Sequence, residues 1–237
     1  MGVWLRRFSL LLVLGFPIAV LGTRLQIWDY GVGLKIVAVT FLLAIAVLVS
    51  GGIIYFWQRR LRPGNAGSVR SAMLIALLPI LFIGWQILGA RSVPPIHNIS
   101  TDVVDPPQFT QIASIRSSTD NPLHYDAEQL AAVQQAAYPN VKTLLMPLTM
   151  EEAHRRAVVV AEALEWEIID HDAQSGRLEA TITTPLWQFK DDVVVRIRPQ
   201  GDKVAVDLRS VSRVGKSDLG ANAARIERFL KEFSKKP

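Results

Sequence analysis

The side chains best able to do chemistry lie between Glu179 and Arg213. Glu179, Asp192, Arg196, Arg198, Asp207, Arg209 and Arg213 recur there at positions whose parity suits one face of a sheet. Guanidinium forks match carboxylate and phosphate geometry. The set therefore predicts one of two things. It is a solvated ladder of cross-strand ion pairs, each contributing at most about 1 kcal/mol, or a docking surface for an anion, such as a lipid headgroup, or for an acidic partner. Just beyond it, Val214-Gly215-Lys216-Ser217 has the ending of a phosphate-binding loop. That loop needs a glycine five residues before Gly215, where Ser210 stands, and one glycine cannot build the cradle. A glycine turn followed by a serine cap is the simpler reading, with backbone N–H groups at the helix start free to hold a lone anion.

Other chemistries find less. Asp191 and Asp192 could share a metal or a proton, but neighbours on a strand point to opposite faces. They read as a turn with Lys190. The histidines His97, His124, His154 and His171 have no metal-ligand spacing, and Asp170-His171-Asp172 reads as a surface turn. No G-x-S-x-G elbow or H-E-x-x-H motif is present. With no cysteine there is no disulfide, thiolate zinc site or thiol nucleophile. No metal and no cofactor are expected.

The elements that must hold these residues follow from periodicity. Residues 91–125 read as an extended arm, because Pro94, Pro95, Pro106 and Pro107 prevent regular helix. Asp126 with Gln129 suits the start of a short helix that ends before Pro139. Val141–Leu148 reads as a strand, and Thr149 with Glu152 forms the capping box of the next helix. Four strands follow, at Glu165–His171, Gly176–Thr184, Asp192–Pro199 and Lys203–Arg213, with short polar connections that fit an antiparallel meander. Val193, Val195 and Ile197 oppose Asp192, Arg196 and Arg198. Val204, Val206 and Leu208 oppose Lys203, Asp207, Arg209 and Arg213. A final helix runs from Asp218 to about Phe233, with Ser217 as its cap. The fold class is α+β: a curved antiparallel sheet in the order β-α-β-β-β-β-α, with helices packed on one face.

The first 90 residues are of another kind. They hold eight of the 26 Lys and Arg residues but one of the 21 acids, Asp29. The remaining 18 bases and 20 acids make residues 91–237 slightly acidic, so the high pI does not signal nucleic acid. Uncharged runs at Phe8–Thr23, Ile36–Trp57 and Ser71–Ala90 are 16, 22 and 20 residues long, close to the ~20 needed to span a bilayer. They predict three transmembrane helices, at about 8–27, 36–57 and 71–90, the first kinked at Pro17. A signal peptide is the rival reading of the first run. Arg6 and Arg7, and the four arginines of the 58–70 connection, place those segments in the cytoplasm by the positive-inside rule. The chain then leaves the third helix near Arg91, on the outside, and residues 91–237 form an extracytoplasmic domain. The second and third runs carry no Asp, Glu, Lys, Arg or His, which suits an anchor better than a transport path. Ala46, Ser50, Gly51, Gly52 and Gly84 are candidates for close helix packing.

Three stretches then point to a family. Pro94-Pro95-Ile96-His97-Asn98-Ile99-Ser100-Thr101-Asp102 with Asp105-Pro106-Pro107 is one. Phe189-Lys190-Asp191-Asp192-Val193-Val194 with Arg196 is another. The third is the run from Val206 through Arg209, Ser212, Arg213, Lys216, Asp218 and Asn222 to Arg225-Ile226. Over about residues 94–233 the chain resembles the bacterial "domain of unknown function 1499" family. The resemblance implies N-terminal membrane helices and brings no established activity. It draws attention to Lys190, Asp192, Arg209, Ser212, Arg213, Asp218, Asn222 and Arg225, several of which fall where the last strand meets the final helix.

Together these readings give the candidate ligand- or anion-binding residues: Lys190, Asp192, Arg196, Arg209, Arg213, Lys216, Asp218, Asn222 and Arg225. No catalytic residue is named. The expected function is that of a non-enzymatic protein of the bacterial inner membrane. Its periplasmic domain binds a lipid, a polymer or a protein partner. The partners are the lipid bilayer and either another membrane protein or an anionic ligand, with no nucleic acid. The alternatives are a hydrolase or transferase at the junction of the last strand and final helix, and an accessory subunit of an inner-membrane complex.

Overall fold

The computed structural model describes residues 1–61, 66–90 and 93–235. Arg62 of the basic connection and Arg91 after the third apolar run lie outside the described residues. The chain divides into two compact units, Met1–Ser92 with Pro185–Gln188, and Val93–Thr184 with Phe189–Pro237.

The first unit is helical. Helices α1 (Gly2–Val13) and α2 (Gly15–Arg24) make one broken rod, followed by α3 (Tyr30–Leu61) and α4 (Gly67–Ala90). Three helical stretches, of 23, 31 and 23 residues, are long and apolar enough to cross a membrane. The break at Leu14 has a local cause. Pro17 has no N–H to donate, and its ring presses on the carbonyl four residues earlier, at Val13. In the first turn of α2 it is tolerated. The hydroxyls of Ser9, Thr23 and Ser50 donate to the carbonyls of Leu5, Ala19 and Ala46, so these three groups need no water.

Glycines set how closely these helices approach. A Cβ on Gly15 would stand 2.2 Å from Thr40 Oγ1, on Gly22 2.0 Å from the Trp28 ring, and on Gly51 2.7 Å from Met73. Gly51 is thus a packing position, as its sequence context suggests. Gly52 and Gly84 are not, since a Cβ at either meets nothing within 4 Å. Gly2 packs on Val69, and Gly51 lies level with Met73 and Leu5. Arg6, Arg7, Arg59, Arg60 and Arg70 are therefore gathered at one end of the bundle, with Arg24, Asp29 and Lys35 at the other.

The second unit is the α+β domain. Its elements are β1 (Asn98–Ser100), α5 (Gln111–Ile115), α6 (Ala127–Ala137), β2 (Leu144–Met146), α7 (Met150–Ala163), β3 (Glu167–Asp172), β4 (Arg177–Thr183), β5 (Lys190–Gln200), β6 (Lys203–Ser212) and α8 (Ala221–Phe233). The sheet is open and antiparallel, in the order β1-β6-β5-β4-β3, with β2 pairing farther along β6. The meander β3–β6 keeps a register in which Arg196 faces Asp207 and Val194 faces Arg209.

The sheet's alternation sorts its residues as the sequence implies. Val193, Val195, Ile197, Val206 and Leu208 join Ala157, Ile226, Phe229 and Phe233 in the main core, under α7 and α8. Trp166 stacks on Phe229 with ring centroids 5.1 Å apart. The capping box predicted at Thr149 and Glu152 is present in both directions. Several stretches differ from the sequence reading. Asp170–Asp172 and Lys190–Asp192, both read as turns, are strand: the first ends β3 opposite Arg177–Glu179, and the second opens β5 opposite Thr181–Thr183. The arm of residues 93–125 contains β1 and α5, and it lies across the sheet face opposite α7 and α8, where Phe109 and Ile112 pack on Val194 and Val211. The final helix begins at Ala221, not Asp218, because Leu219 and Gly220 take left-handed backbone (φ 56° and 83°) and cannot be helical.

Candidate functional site

The structure divides the nine candidate residues into two groups and leaves two over. Asp192, Arg196, Arg209 and Arg213 point to the face that the arm covers, with Glu179, Arg198 and Asp207. Asp218, Asn222 and Arg225 gather on the α8 side with Asp191, Ser210 and Ser212. Lys190 and Lys216 are exposed, and their side chains have no hydrogen bond or ion pair among the described residues.

The arm-covered face is neither a solvated ladder nor an open docking surface. Glu179, Asp192, Asp207 and Arg209 are fully buried. The acidic partner that the arginines bind belongs to the chain itself. Arg196 reaches Asp102, Asp105 and Asp207 at 3.1, 2.9 and 3.1 Å, and Arg198 reaches the same three at 3.1, 3.2 and 2.8 Å. Thr143 and Thr101 donate their hydroxyls to the other Asp207 oxygen, at 2.6 and 3.2 Å. Burial works to raise the Asp102 pKa. The N–H groups of Asp105 and Val104, then Arg196 and Arg198, outweigh it and hold the carboxyl below its usual value.

The same face clamps the arm at two further points. Asp192 accepts from Arg116 at 2.8 Å, from Arg213 at 2.9 Å and from Thr181 at 2.7 Å. Its hydrogen bond to Arg213 raises that arginine's pKa. Glu179 accepts the Thr110 N–H, the Thr110 hydroxyl and the Ile112 N–H, each at 2.7 Å. It thereby caps α5, a helix with no side-chain cap of its own.

Arg209 is the most unusual member. It is fully buried and no carboxylate meets it among the described residues. Its donors go to Asn98 Oδ1 at 3.0 Å, Pro107 O at 3.2 Å and Leu123 O. The Phe109 and Tyr125 rings lie 5.6 and 5.7 Å away, in reach of cation–π attraction. Burial pushes the Arg209 pKa down to about 10 and that of the Tyr125 hydroxyl up to about 12. Every partner of Arg209 is on the arm or in β1.

On the other side, Asn222 is the hub of a hydrogen-bonded corner. It accepts from Ser210 at 2.6 Å and from Arg225, and it donates to His97 O and Ser212 Oγ, each at 3.0 Å. Arg225 reaches Asp191 at 2.6 Å. Asp218 accepts the Gly220 and Asn222 N–H groups at 2.8 Å each. Its carboxylate therefore takes the place at the start of α8 that a lone anion would need, and Ser217 caps only the turn before it, at Leu219. Burial raises the Asp218 pKa against the pull of those two N–H groups. Nearby, the Tyr138 hydroxyl is buried with no hydrogen-bond partner.

Sequence reasoning missed Arg116, Asn98, Asp102 and Asp105. Two signals were available: Asn98, Asp102 and Asp105 lie in the first family-like stretch, and two acids three residues apart in the arm complement two arginines two apart in β5. Among the described residues no three His, Asp or Glu side chains converge as a metal site. Asp172 holds its own turn, accepting from Gln174 N–H and Ser175 Oγ.

A family model described as "Protein of unknown function (DUF1499)" matches residues 98–233. The match begins at Asn98, a partner of Arg209, and ends with α8, so it contains the side chains of both polar networks. No curated protein matches the chain.

Proposed function

This chain belongs to the DUF1499 family, and from that premise we propose that it is a membrane-anchored envelope protein that binds and does no chemistry. Three apolar helices hold it in the bacterial inner membrane. The arginine-rich end of the bundle faces the cytoplasm, and the α+β domain faces the periplasm, where it recognises a lipid, a polymer or another membrane protein. The observation that carries the reading is that the carboxylates of the charged networks are met from within the chain. The carboxylates of Glu179, Asp191, Asp192 and Asp207 are each met by cations or N–H and O–H donors of the chain itself. Catalytic carboxylates and arginines need an open side toward substrate.

Two measurements test this. Reporter fusions after residues 62 and 235 should report opposite sides of the membrane, the first cytoplasmic. Purification in mild detergent with in-cell crosslinking should then capture a partner through the domain. Fusions reporting the same side would refute the topology, and a domain that hydrolyses esters or phosphoesters at enzymatic rates would refute the binding role.

One observation favours a catalytic reading of the α8 junction. Asp218 is a buried carboxyl with a raised pKa beside the orphaned Tyr138 hydroxyl, a pairing of the kind found at acid–base sites. Asp218→Asn and Tyr138→Phe separate the readings. Catalysis requires both to abolish any measured turnover, whereas a structural cap predicts altered stability alone.

A further inference from the structure

We propose that the open side of α3 holds one anionic phospholipid, its acyl chain in the notch at Gly52 and its phosphate on Arg60. Gly52, Ile53, Phe56, Trp57 and Arg60 line a groove of about 490 Å³. Gly52, Phe56 and Arg60 are spaced four residues apart, so they form one stripe along the helix. Nothing in the bundle fills the notch, since a Cβ on Gly52 would meet no atom within 4 Å. From Gly52 to Arg60 the helix rises about 12 Å, within the ~15 Å half-thickness of a hydrocarbon core. The groove thus runs from acyl depth to headgroup depth, with the Phe56 and Trp57 rings at the level where aromatic side chains gather.

Charge selects the headgroup. Arg60 is exposed and pairs with no carboxylate among the described residues. Arg59 follows the same turn, Arg6, Arg7 and Arg70 share this end of the bundle, and no acid occurs between Gln58 and Arg70. A lipid with net negative charge gains from all of these, while a zwitterionic headgroup brings its own cation. A second copy of the chain is a poor occupant. Two-fold pairing through this stripe would set Arg60 against Arg60 with no acid between them.

The test uses the full chain in detergent, with phosphatidylglycerol or phosphatidylcholine titrated in and bound lipid counted by native mass spectrometry. One phosphatidylglycerol should be retained in preference to phosphatidylcholine. Arg60→Gln should weaken it about fivefold, the effect of one interfacial arginine. Gly52→Leu should weaken it at least threefold without removing charge, at an unchanged melting temperature because the side chain enters open space. Arg24→Gln, at the opposite end, should leave it unchanged. The site is overturned by equal retention of the two lipids, by Arg24→Gln matching Arg60→Gln, or by Gly52→Leu having no effect, which would mean diffuse charge attraction.

Discussion

Arg209→Met removes the guanidinium that joins β6 to the arm at three acceptors. Leaving Asn98 Oδ1, Pro107 O and Leu123 O without a donor costs about 1–3 kcal/mol for each buried group. The two flanking rings lose a cation worth up to about 2 kcal/mol where desolvated. The variant also gains something, because burying this charge without a carboxylate holds its pKa below the ordinary arginine value, down to about 10. At 1.36 kcal/mol per unit, that penalty is roughly 3 kcal/mol, and methionine relieves it. Methionine occupies most of the same volume, so little cavity cost is added. The net expectation is a loss of about 3–5 kcal/mol, localised to the arm. Hydrogen-exchange mass spectrometry on the purified full chain reads it directly. Amides of residues 98–125 should exchange at least a hundredfold faster, while those of β4 and β5 change much less. Arg209→Lys should behave nearly as badly, since one ammonium cannot span three acceptors in a fixed fork. An exchange rate for 98–125 within threefold of the parent would refute the reasoning that Arg209 fastens the arm.

Three further outcomes follow from the same geometry. Arg196 and Arg198 share Asp102, Asp105 and Asp207, so Arg196→Gln and Arg198→Gln should each cost about 1 kcal/mol while the double variant costs about 3–5; additive losses in thermal melts would count against the shared clamp. Because burial raises the Asp218 pKa in the fold, its contribution to stability is complete below the unfolded value near 3.8 and declines as pH rises through the folded value. Asp218→Asn lacks that decline, so melting temperatures measured upward from pH 3 should move in the variant's favour, and a constant difference would contradict the burial argument. Within the bundle, Gly22→Ala should lower the melting temperature by several degrees, since its Cβ would lie 2.0 Å from the Trp28 ring, whereas Gly84→Ala meets open space and should not.

Much of the architecture is local and was legible for that reason. Apolar run length locates three helices long enough to cross a membrane, and Pro17 explains the break after Val13. Thr149 and Glu152 cap α7 from within three residues of each other. Alternation in β5 and β6 assigns each side chain to its face before any partner is known. What escaped is what depends on distant residues. Three residues cannot make a strand alone, so β1 exists only because Asn98–Ser100 pair with β6. The cap of α5 comes from Glu179, 69 residues away from Thr110. The start of α8 shifts because Asp218 turns its carboxylate onto the N–H groups of Gly220 and Asn222.

Backbone period and side-chain type were enough to place three helices long and apolar enough to cross a membrane, the meander, and the side of the sheet on which each charge stands. Which partners those charges take was settled by contacts between distant residues. The arginines of β5 find Asp102, 94 residues from Arg196, and Arg209 finds carbonyls and rings that no pattern of charge reveals. Periodicity says which way a side chain points, but what it meets there depends on how the chain closes back on itself. In this protein it closes an acidic arm over a basic face.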